Sequence, residues 1–357
     1  MSDHVTNIAL VTGANSGVGF GIMQRLIDRA VSLNAEATTV LVMGCRSRPR
    51  AEAARARLLA EAQKKRTAAL PETLVQILIV DLSDTKSVFK ACEEFKRRFN
   101  RLDALHLNAG ILPCSSMDIS TGVWNLLTRP SYVAQTGGDF FKQEVGARTA
   151  EGLGAVFAAN VFGHYIMAME LLPRMQRGSR VLWFSSTTAA TPEFFDAGDL
   201  QCLNGKHPYE SSKRLCEILA VQMHEVLREK EVYSFVVSPG NCYTGLLGQG
   251  IFIDVATIVV LYLMRFLAIS GCNISPRNGA TAPLYLAAEV SDPAALDADV
   301  LYHSEISQFG SRSVRRIALP DQQDPKAYVH IYQEVDNLYR TFRHKAVEGG
   351  VLAATPN

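Results

Sequence analysis

The segment Tyr209-Glu210-Ser211-Ser212-Lys213 holds a phenol and an amine at a spacing that could support proton transfer. If the segment is helical, positions i and i+4 share one face, so Tyr209 and Lys213 lie side by side. Tyrosine has an unperturbed pKa of about 10, and a neighbouring ammonium group is expected to lower it by stabilising the phenolate. Such a phenol can act as a general acid. The same spacing also occurs by chance on helix surfaces, so the surrounding elements have to distinguish the two interpretations.

Three other segments place polar residues where predicted strands end. Ser186 follows one strand and could donate a hydrogen bond to a substrate carbonyl oxygen. A second strand is followed by Asn108-Ala109-Gly110, and a third by Pro239-Gly240-Asn241-Cys242-Tyr243-Thr244. The carboxyl ends of parallel strands meet at one edge of a sheet, where such sheets bind ligands. We therefore predict that these segments and the tyrosine–lysine pair converge on one crevice.

The first predicted strand runs into a glycine-rich turn that could bind a pyrophosphate. The turn reads Thr12-Gly13-Ala14-Asn15-Ser16-Gly17-Val18-Gly19 and is followed by a helical pattern. Backbone N–H groups at a helix N-terminus carry a partial positive charge, and glycine lets the backbone approach a phosphate closely. Glycines also serve strand-to-helix packing alone, but the strand–turn–helix order at the start of the series favours a dinucleotide.

The second predicted strand ends in Gly44-Cys45-Arg46-Ser47-Arg48, without a carboxylate. An acidic residue at this place binds the 2′-hydroxyl of NAD, whereas an arginine suits the 2′-phosphate of NADP. The sequence thus predicts NADPH as the cofactor, with Arg46 as the main phosphate contact. The alternative is that Arg46 and Arg48 are ordinary surface charges.

The composition argues against several other classes of protein. Lys and Arg total 36 and Asp and Glu 35, and this formal charge of +1 argues against the net basic face of a nucleic-acid-binding protein. The seven cysteines are scattered and form no Cys-x-x-Cys pair, so neither a disulfide framework nor a metal site is predicted. Residues 1–7 are polar and show no signal-peptide pattern.

The candidate residues belong to an alternating series of strands and helices. Apolar runs rich in branched residues predict strands at Ile8–Thr12, Thr39–Met43, Leu74–Val80, Ala104–Asn108, Arg180–Ser185 and Tyr233–Ser238. Helical patterns lie between them at Gly19–Ser32, Arg50–Arg66, Lys86–Arg98, Gly152–Met175 and Pro208–Glu231. This alternation predicts an α/β fold with a doubly wound parallel sheet and right-handed crossovers.

The series fits a single catalytic domain over residues 1–300. Residues 112–150 and 246–274 look like insertions into it, the second of them a lid over the substrate. The polar extension over 301–357, helical at Lys326–Lys345, is expected to pack on the domain.

With this arrangement in place, the chain resembles the short-chain dehydrogenase/reductase family, which has a Rossmann-type fold, over roughly residues 5–300. The matching motifs are Thr12–Gly19, Asp81-Leu82, Asn108–Gly110, Asn160, Ser186, Tyr209 with Lys213, and Pro239–Thr244. The resemblance implies that Asp81 binds the adenine amino group, that Lys213 binds the nicotinamide ribose and that Thr244 binds the carboxamide.

The same resemblance implies that Asn160 holds a helix distortion and a water that links Lys213 to solvent. A buried structural amide is the alternative for Asn160. Two features depart from the family pattern: Leu107 stands where the family usually has Asn, and the spacing between Ser186 and Tyr209 is long.

Longer segments resemble the 3-keto-steroid reductases of sterol biosynthesis, a group within that family whose animal members also reduce 17-keto steroids. The similar segments are 101–110, 124–130, 160–165, 209–215 and 273–280. The resemblance implies hydride transfer from NADPH to the C3 carbonyl of a sterone during C-4 demethylation, with Tyr209 protonating the oxygen to form the 3β-alcohol. It also implies the sterol C-4 demethylation enzymes and lanosterol synthase as partners.

Two alternatives stay open at this point. The same chemistry could act on another lipophilic carbonyl, such as a 17-keto steroid, retinal or a fatty aldehyde. The chain could instead be a scaffold that binds NADPH and stabilises a sterol-biosynthesis partner. The complete set of Asn160, Ser186, Tyr209 and Lys213 argues against a scaffold as its only role.

The segment Ile251–Ile269 is strongly apolar, with ten uncharged residues between Asp254 and Arg265. As a helix it would be about 28 Å long, close to the hydrocarbon thickness of a bilayer. Asp254 and Arg265 fall on the same face and make a span costly, so we predict a helix that lies in the membrane interface. Packing in the core or in a homodimer, and a true span, are the alternatives. With the sterol resemblance, this predicts the cytosolic face of the endoplasmic reticulum membrane, or lipid droplets, as the location.

Overall fold

The computed structural model describes residues 7–65, 70–71, 74–130, 132–133, 139–243, 251–266, 272–320 and 325–352. Its strands are β1 Asn7–Thr12, β2 Thr39–Cys45, β3 Val75–Ile79, β4 Leu102–Leu107, β5 Cys114–Met117, β6 Phe141–Gln143, β7 Met175–Phe184, β8 Tyr233–Ser238, β9 Asn241–Cys242, β10 Cys272–Ile274, β11 Val300–Ile306 and β12 Arg312–Ala318. Eight of them form a central sheet in the order β12-β11-β8-β7-β4-β1-β2-β3. All neighbours in it are parallel except β11 and β12.

Helices cover both faces of this sheet, which confirms the predicted doubly wound α/β fold. They are α1 Gly17–Ser32, α2 Arg48–Gln63, α3 Thr85–Arg98, α4 Ile119–Thr128, α5 Gly163–Leu171, α6 Pro208–Arg228, α7 Ile251–Phe266 and α8 Pro325–Glu348. One hydrophobic cluster joins the sheet to α3, α5, α6 and α8, and a second joins its other face to α1 and α2. The parallel strands are buried on both faces, and this explains their nearly continuous apolar sequences.

Both predicted insertions contain regular structure. In the first, β5 pairs with β6 in antiparallel fashion, and α4 lies between them in the chain. In the second, the predicted helix is present as α7, and β10 pairs with β9. Side chains from both insertions meet in a third hydrophobic cluster, which includes Leu126, Leu261 and Met264. The two insertions therefore pack against each other through this cluster.

The C-terminal extension differs from the prediction. Its predicted helix is present as α8, but two strands precede that helix and extend the central sheet. β11 pairs in parallel with β8, and β12 pairs with β11 in antiparallel fashion. The boundary expected at residue 300 thus falls on the first residue of a sheet strand. The strands escaped the sequence pattern because β11 buries polar side chains, His303 and Ser304 among them.

Among the described residues, one helical stretch is long and apolar enough to cross a membrane by length and composition. It is Ala155–Arg174, and 83% of its most apolar window is buried inside the protein. This stretch contains α5 and packs against both the sheet and α3, so its apolar character is that of a core helix.

Candidate active site

Tyr209 and Lys213 lie in the first turns of α6, which begins at Pro208. Proline suits a first helical position, because the N–H that it lacks would have no partner inside the helix. Tyr209 is half-buried and Lys213 is buried. The Lys213 amine lies 5.6 Å from the centre of the Tyr209 ring. The side-by-side arrangement expected from the i, i+4 spacing is present.

The lowered pKa expected for Tyr209 is not found. Burial raises the pKa of this phenol above its usual value, and the Glu210 carboxylate raises it further. A hydrogen bond with the Ser186 hydroxyl acts in the opposite direction without reversing the shift. The expectation failed because the sequence pattern contained the ammonium group but neither the burial of the phenol nor the neighbouring carboxylate. The phenol is therefore protonated, which is the state that a general acid requires.

The Lys213 amine is held by the backbone of the sheet. It donates a 2.8 Å hydrogen bond to the carbonyl oxygen of Phe184, the last residue of β7. Gly110 lies between this amine and Asn160: a Cβ atom on Gly110 would be 3.6 Å from the Lys213 amine and 3.3 Å from the Asn160 side-chain oxygen. A Cβ atom at position 110 would therefore crowd the Asn160 oxygen, whereas its distance to the amine is an ordinary contact.

Ser186 follows β7 and meets Tyr209 at the carboxyl edge of the sheet. Its oxygen accepts hydrogen bonds from the Thr188 backbone N–H at 3.3 Å and from the Thr188 hydroxyl at 3.0 Å. Those bonds use the lone pairs of Ser186 and leave its proton to be donated. A carbonyl oxygen placed between Ser186 and Tyr209 could accept from both hydroxyls.

Asn160 lies in a π-helical turn, Ala158–Phe162, directly before α5. The helix distortion expected at Asn160 is thus present. Its buried side chain accepts from the Ile111 N–H at 2.7 Å, donates to the Ile111 carbonyl at 3.0 Å and donates to the Ser212 hydroxyl at 3.0 Å. Ser212 in turn donates to the Tyr209 carbonyl at 2.6 Å. Asn160 therefore connects the chain after β4 to the first turn of α6.

The glycine turn after β1 has the backbone that a pyrophosphate site needs. Gly13 and Gly17 have φ of +67° and +52°, values that favour glycine. A Cβ on Gly19 would lie 2.4 Å from the Gly13 carbonyl oxygen, so only glycine fits there. Within the described part of the chain, Ser16 makes no side-chain capping bond, and the first turn of α1 contains no acidic residue. This helix N-terminus, which also includes Asn15 and Val18, is suited to hold an anion.

Thr12 connects this turn to the segment after β4. Its hydroxyl oxygen accepts the N–H groups of Asn108 at 2.8 Å and Ala109 at 3.0 Å, and lies 3.0 Å from Nε2 of His164. The other ring nitrogen of His164 is 3.0 Å from the Asn160 carbonyl oxygen. Burial lowers the pKa of His164 to about 3, so the ring is neutral. It can accept the Thr12 proton at Nε2 while donating from Nδ1. The sequence motif contained His164, but no role was assigned to it.

Arg46 and Asp81 lie side by side after β2 and β3. The closest approach of the guanidinium group to the carboxylate is 3.9 Å, and the Arg46 side chain is 68% exposed. The other carboxylate oxygen of Asp81 accepts from the Ser83 N–H and hydroxyl. Leu82 is buried, and its carbonyl oxygen would lie 2.3 Å from a Cβ on Gly163. The predicted adenosine-binding residues are thus neighbours, and the exposed Arg46 side chain is accessible to a ligand.

The segment after β8 is partly described. The Pro239 carbonyl accepts from the Asn273 amide at 2.6 Å, and Gly240 has φ +66°. These contacts place the turn beside β10, at the same carboxyl edge as Ser186. Thr244, the expected carboxamide contact, lies outside the described residues.

A buried ion pair behind the site was missed by the sequence analysis. Arg214 and Glu217 approach to 2.8 Å, and both are almost fully buried. Ser185 donates to the other oxygen of Glu217 at 2.7 Å, so the pair supports the strand end that carries Ser186. Arg214 also reaches the C-terminal extension, donating to the Pro320 carbonyl and the Tyr328 hydroxyl. The spacing of three residues between Arg214 and Glu217 on one predicted helix was the available signal.

Comparisons with known proteins agree with this geometry. The short chain dehydrogenase family matches residues 7–129. A human protein named 3-keto-steroid reductase/17-beta-hydroxysteroid dehydrogenase 7 is 34% identical over 309 residues, 85% of each chain. A Schizosaccharomyces pombe protein named 3-keto-steroid reductase is 30% identical over 351 residues, 95% of this chain and 98% of its own.

The chain belongs to the short-chain dehydrogenase/reductase family, and within it to the group of these 3-keto-steroid reductases. It is accordingly an oxidoreductase that acts on a ketone or the corresponding alcohol. Solved structures agree on the fold: a Brucella melitensis 3-ketoacyl-(acyl-carrier-protein) reductase superposes with a TM-score of 0.55 at 18% identity and covers 84% of this chain and 97% of its own. A Mycobacterium Paratuberculosis protein covers 95% and 96% with a TM-score of 0.59 at 18% identity.

Proposed function

We propose that this chain reduces the C3 ketone of sterones to the 3β-alcohol with NADPH. The observation that carries the proposal is the meeting of Ser186, Tyr209 and Lys213 beside the glycine turn. The relatives named 3-keto-steroid reductase, 27% to 34% identical, support the substrate class.

Each catalytic side chain has a defined task in this reaction. NADPH, when bound, supplies the hydride that reduces the carbonyl carbon. The Ser186 hydroxyl orients the carbonyl oxygen, and Tyr209 donates its phenolic proton to that oxygen. The Lys213 ammonium stabilises the phenolate that remains. Asn160 holds the first turn of α6 and the chain at Ile111 in place while the proton moves.

The preference for NADPH is supported by the charges at the ends of β2 and β3. Arg46 is exposed and can form charge-assisted hydrogen bonds with a 2′-phosphate. Asp81 follows β3, and its Oδ1 is occupied by Ser83. Its Oδ2 lies 3.9 Å from the Arg46 guanidinium group, so a 2′-phosphate that binds Arg46 would replace this long ion-pair contact.

The substrate class is tested by comparing two ketones on the purified protein. We expect kcat/KM for a 4-methyl sterol 3-ketone to exceed that for estrone, a 17-ketone, by at least about tenfold. Estrone has to bind with its steroid rings in a different position to present its ketone, and about 1.4 kcal/mol of lost transition-state binding corresponds to tenfold. Equal values, or a preference for estrone, would contradict the C3 assignment while leaving the reductase chemistry intact.

We also propose that the reaction takes place during sterol C-4 demethylation, beside the enzymes of that process and lanosterol synthase. Cells that lack the chain should accumulate 3-keto sterols. Expression of Tyr209→Phe in those cells separates catalysis from a scaffold role. Continued accumulation of ketones supports catalysis, and full rescue supports a scaffold.

We further propose that the chain lies on the cytosolic surface of the endoplasmic reticulum membrane or on lipid droplets. One face of α7 exposes apolar side chains at spacings of three and four residues: Val259, Tyr262, Leu263 and Phe266 are each more than half exposed. α4 exposes a second apolar stripe, with Ile119, Val123, Trp124 and Leu127. The exposed Arg129 follows α4 and complements anionic headgroups. Exposed apolar faces with aromatic residues are typical of helices that lie in a membrane interface.

Membrane contact can be measured by flotation with vesicles of phosphatidylcholine and phosphatidylserine. Leu263→Glu should reduce the bound fraction several-fold, because it places a charge on the apolar face of α7. Leu33→Glu is the matched control, since Leu33 is 59% exposed but lies after α1, and Leu263 is 51% exposed. Equal binding of both variants and the unmodified chain would rule out α7 as the contact.

A further inference from the structure

Gln143, in the insertion between β4 and α5, contacts two consecutive residues of the catalytic helix. Its side-chain oxygen accepts the Tyr209 backbone N–H at 2.9 Å, and its side-chain nitrogen donates to Oε2 of Glu210 at 2.6 Å. The direction of the amide is determined, because a backbone N–H can only donate. One side chain from the insertion thus binds both the candidate proton donor and its neighbour.

The contact satisfies a backbone group that α6 leaves without a partner. The first N–H groups of a helix have no acceptor inside it and are usually capped by the residue before the helix. In the described structure His207, at that position, makes no side-chain capping bond, and Pro208 has no N–H. The Tyr209 N–H is therefore the first donor of the helix. Gln143 caps it from 66 residues away in the chain.

The insertion is attached to the site at both ends. Near its start, Ile111 is held by the Asn160 side chain through two hydrogen bonds. Near its end, Gln143 lies on β6, which pairs with β5 at Cys114. The hairpin therefore forms a bridge from Asn160 to Tyr209 that is separate from the bridge through Ser212.

We propose that Gln143 is a positioning residue for the reduction: it holds the backbone of Tyr209 so that the phenol meets the substrate oxygen, and Glu210 holds the Gln143 amide in the required orientation. This inference rests on the role of Tyr209 proposed above. Glu210 is buried, and its carboxylate faces His207 and Gln143. The Gln143 amide therefore connects the Tyr209 N–H to the Glu210 carboxylate.

The capping contact can be tested without substrate by hydrogen exchange on the full chain. Gln143→Ala should raise the exchange of the Tyr209 amide by about tenfold, because that N–H loses its acceptor. Lys142→Ala, on the exposed neighbouring residue of the same strand, should leave it unchanged. Equal exchange in both variants would overturn the capping role. The exchange measurement does not depend on sterone reduction. A chain that reduces no sterone would contradict the proposed function but not the capping contact.

The positioning role is tested by reversing the direction of the hydrogen bond. Gln143→Glu alone sets two carboxylates together, and kcat for sterone reduction should fall by about tenfold or more with the KM for NADPH unchanged. Adding Glu210→Gln should restore most of kcat, because the new carboxylate can accept from both the Tyr209 N–H and the new amide. If the double variant stays as slow as Gln143→Glu at an equal melting temperature, Gln143 does not position Tyr209.

Discussion

The Lys213 amine donates a 2.8 Å hydrogen bond to the carbonyl oxygen of Phe184, two residues before Ser186. This bond connects α6 to β7, the strand that precedes Ser186. Burial lowers the pKa of Lys213. A buried amine is costly in free energy unless it is hydrogen-bonded, and the Phe184 carbonyl provides such a bond. The relative positions of the serine, the phenol and the ammonium group therefore depend on a backbone contact of the sheet.

Lys213→Met should remove both the tie to Phe184 and the stabilisation of the phenolate. We expect kcat to fall by about 10²- to 10⁴-fold, the range of a general acid–base contribution. Steady-state kinetics measure the change, and circular dichroism verifies that the variant is folded. Retention of more than half of kcat in the folded variant would show that the ammonium group takes no part.

Arg46→Glu should shift the preference from NADPH toward NADH. The substitution removes a charge-assisted contact and places a carboxylate beside the 2′-phosphate. We expect the KM for NADPH to rise by about 10- to 100-fold with kcat nearly unchanged. Arg48→Glu is the control, since Arg48 is similarly exposed but approaches Glu52 on its own helix. If the control raises the KM for NADPH as much as Arg46→Glu does, Arg46 has no special role.

Buried histidines should make the protein lose stability in mild acid. Burial lowers the pKa of His106 to about 3 and of His303 to about 4. The unfolded chain binds these protons near pH 6.5, whereas the folded chain does not. The free energy of unfolding is therefore unaffected by these groups above about pH 6.5. It decreases as the pH falls from there toward the folded pKa, by up to about 1.4 kcal/mol per pH unit for each histidine.

His106→Leu tests this effect at a single position. Neither ring nitrogen of His106 has a hydrogen-bond partner among the described residues. Its replacement should raise the free energy of unfolding by about 1 to 3 kcal/mol and reduce the slope of that free energy between pH 7 and pH 5. Urea unfolding at several pH values measures both, with His344→Leu, an exposed position, as the control. An unchanged slope would mean that His106 titrates normally in the folded protein.

Most parallel strands of the sheet were predictable, because their residues are apolar and buried on both faces. β1, β2, β4 and β8 have mostly apolar and buried sequences, as does the second half of β7. The first half of β7 begins at Met175 and was missed, because it is polar and partly exposed. β11 and β12 were missed for the opposite reason: β11 buries His303 and Ser304, and β12 is largely exposed. Short strands such as β5 and β6 form through pairing between distant segments, which no local pattern shows.

The candidate catalytic residues were predictable because each belongs to a local motif, as Tyr209 and Lys213 do. The groups that support them were not. The Gln143 cap, the Phe184 carbonyl and the Arg214–Glu217 pair depend on which segments the fold brings together. The raised pKa of Tyr209 was missed for the same reason, since burial is a property of the whole fold.

The central claim is that Tyr209 gives its proton to a sterol ketone, and one variant addresses it most directly. Purified Tyr209→Phe and the unmodified chain are incubated with NADPH and a 4-methyl sterol 3-ketone, and the 3β-alcohol is quantified. The phenol oxygen is the only atom removed, so NADPH should still bind, with fluorescence titration giving a similar Kd, while alcohol formation falls by at least about 10²-fold. Alcohol formation at the unmodified rate, with NADPH bound equally well, would contradict the account.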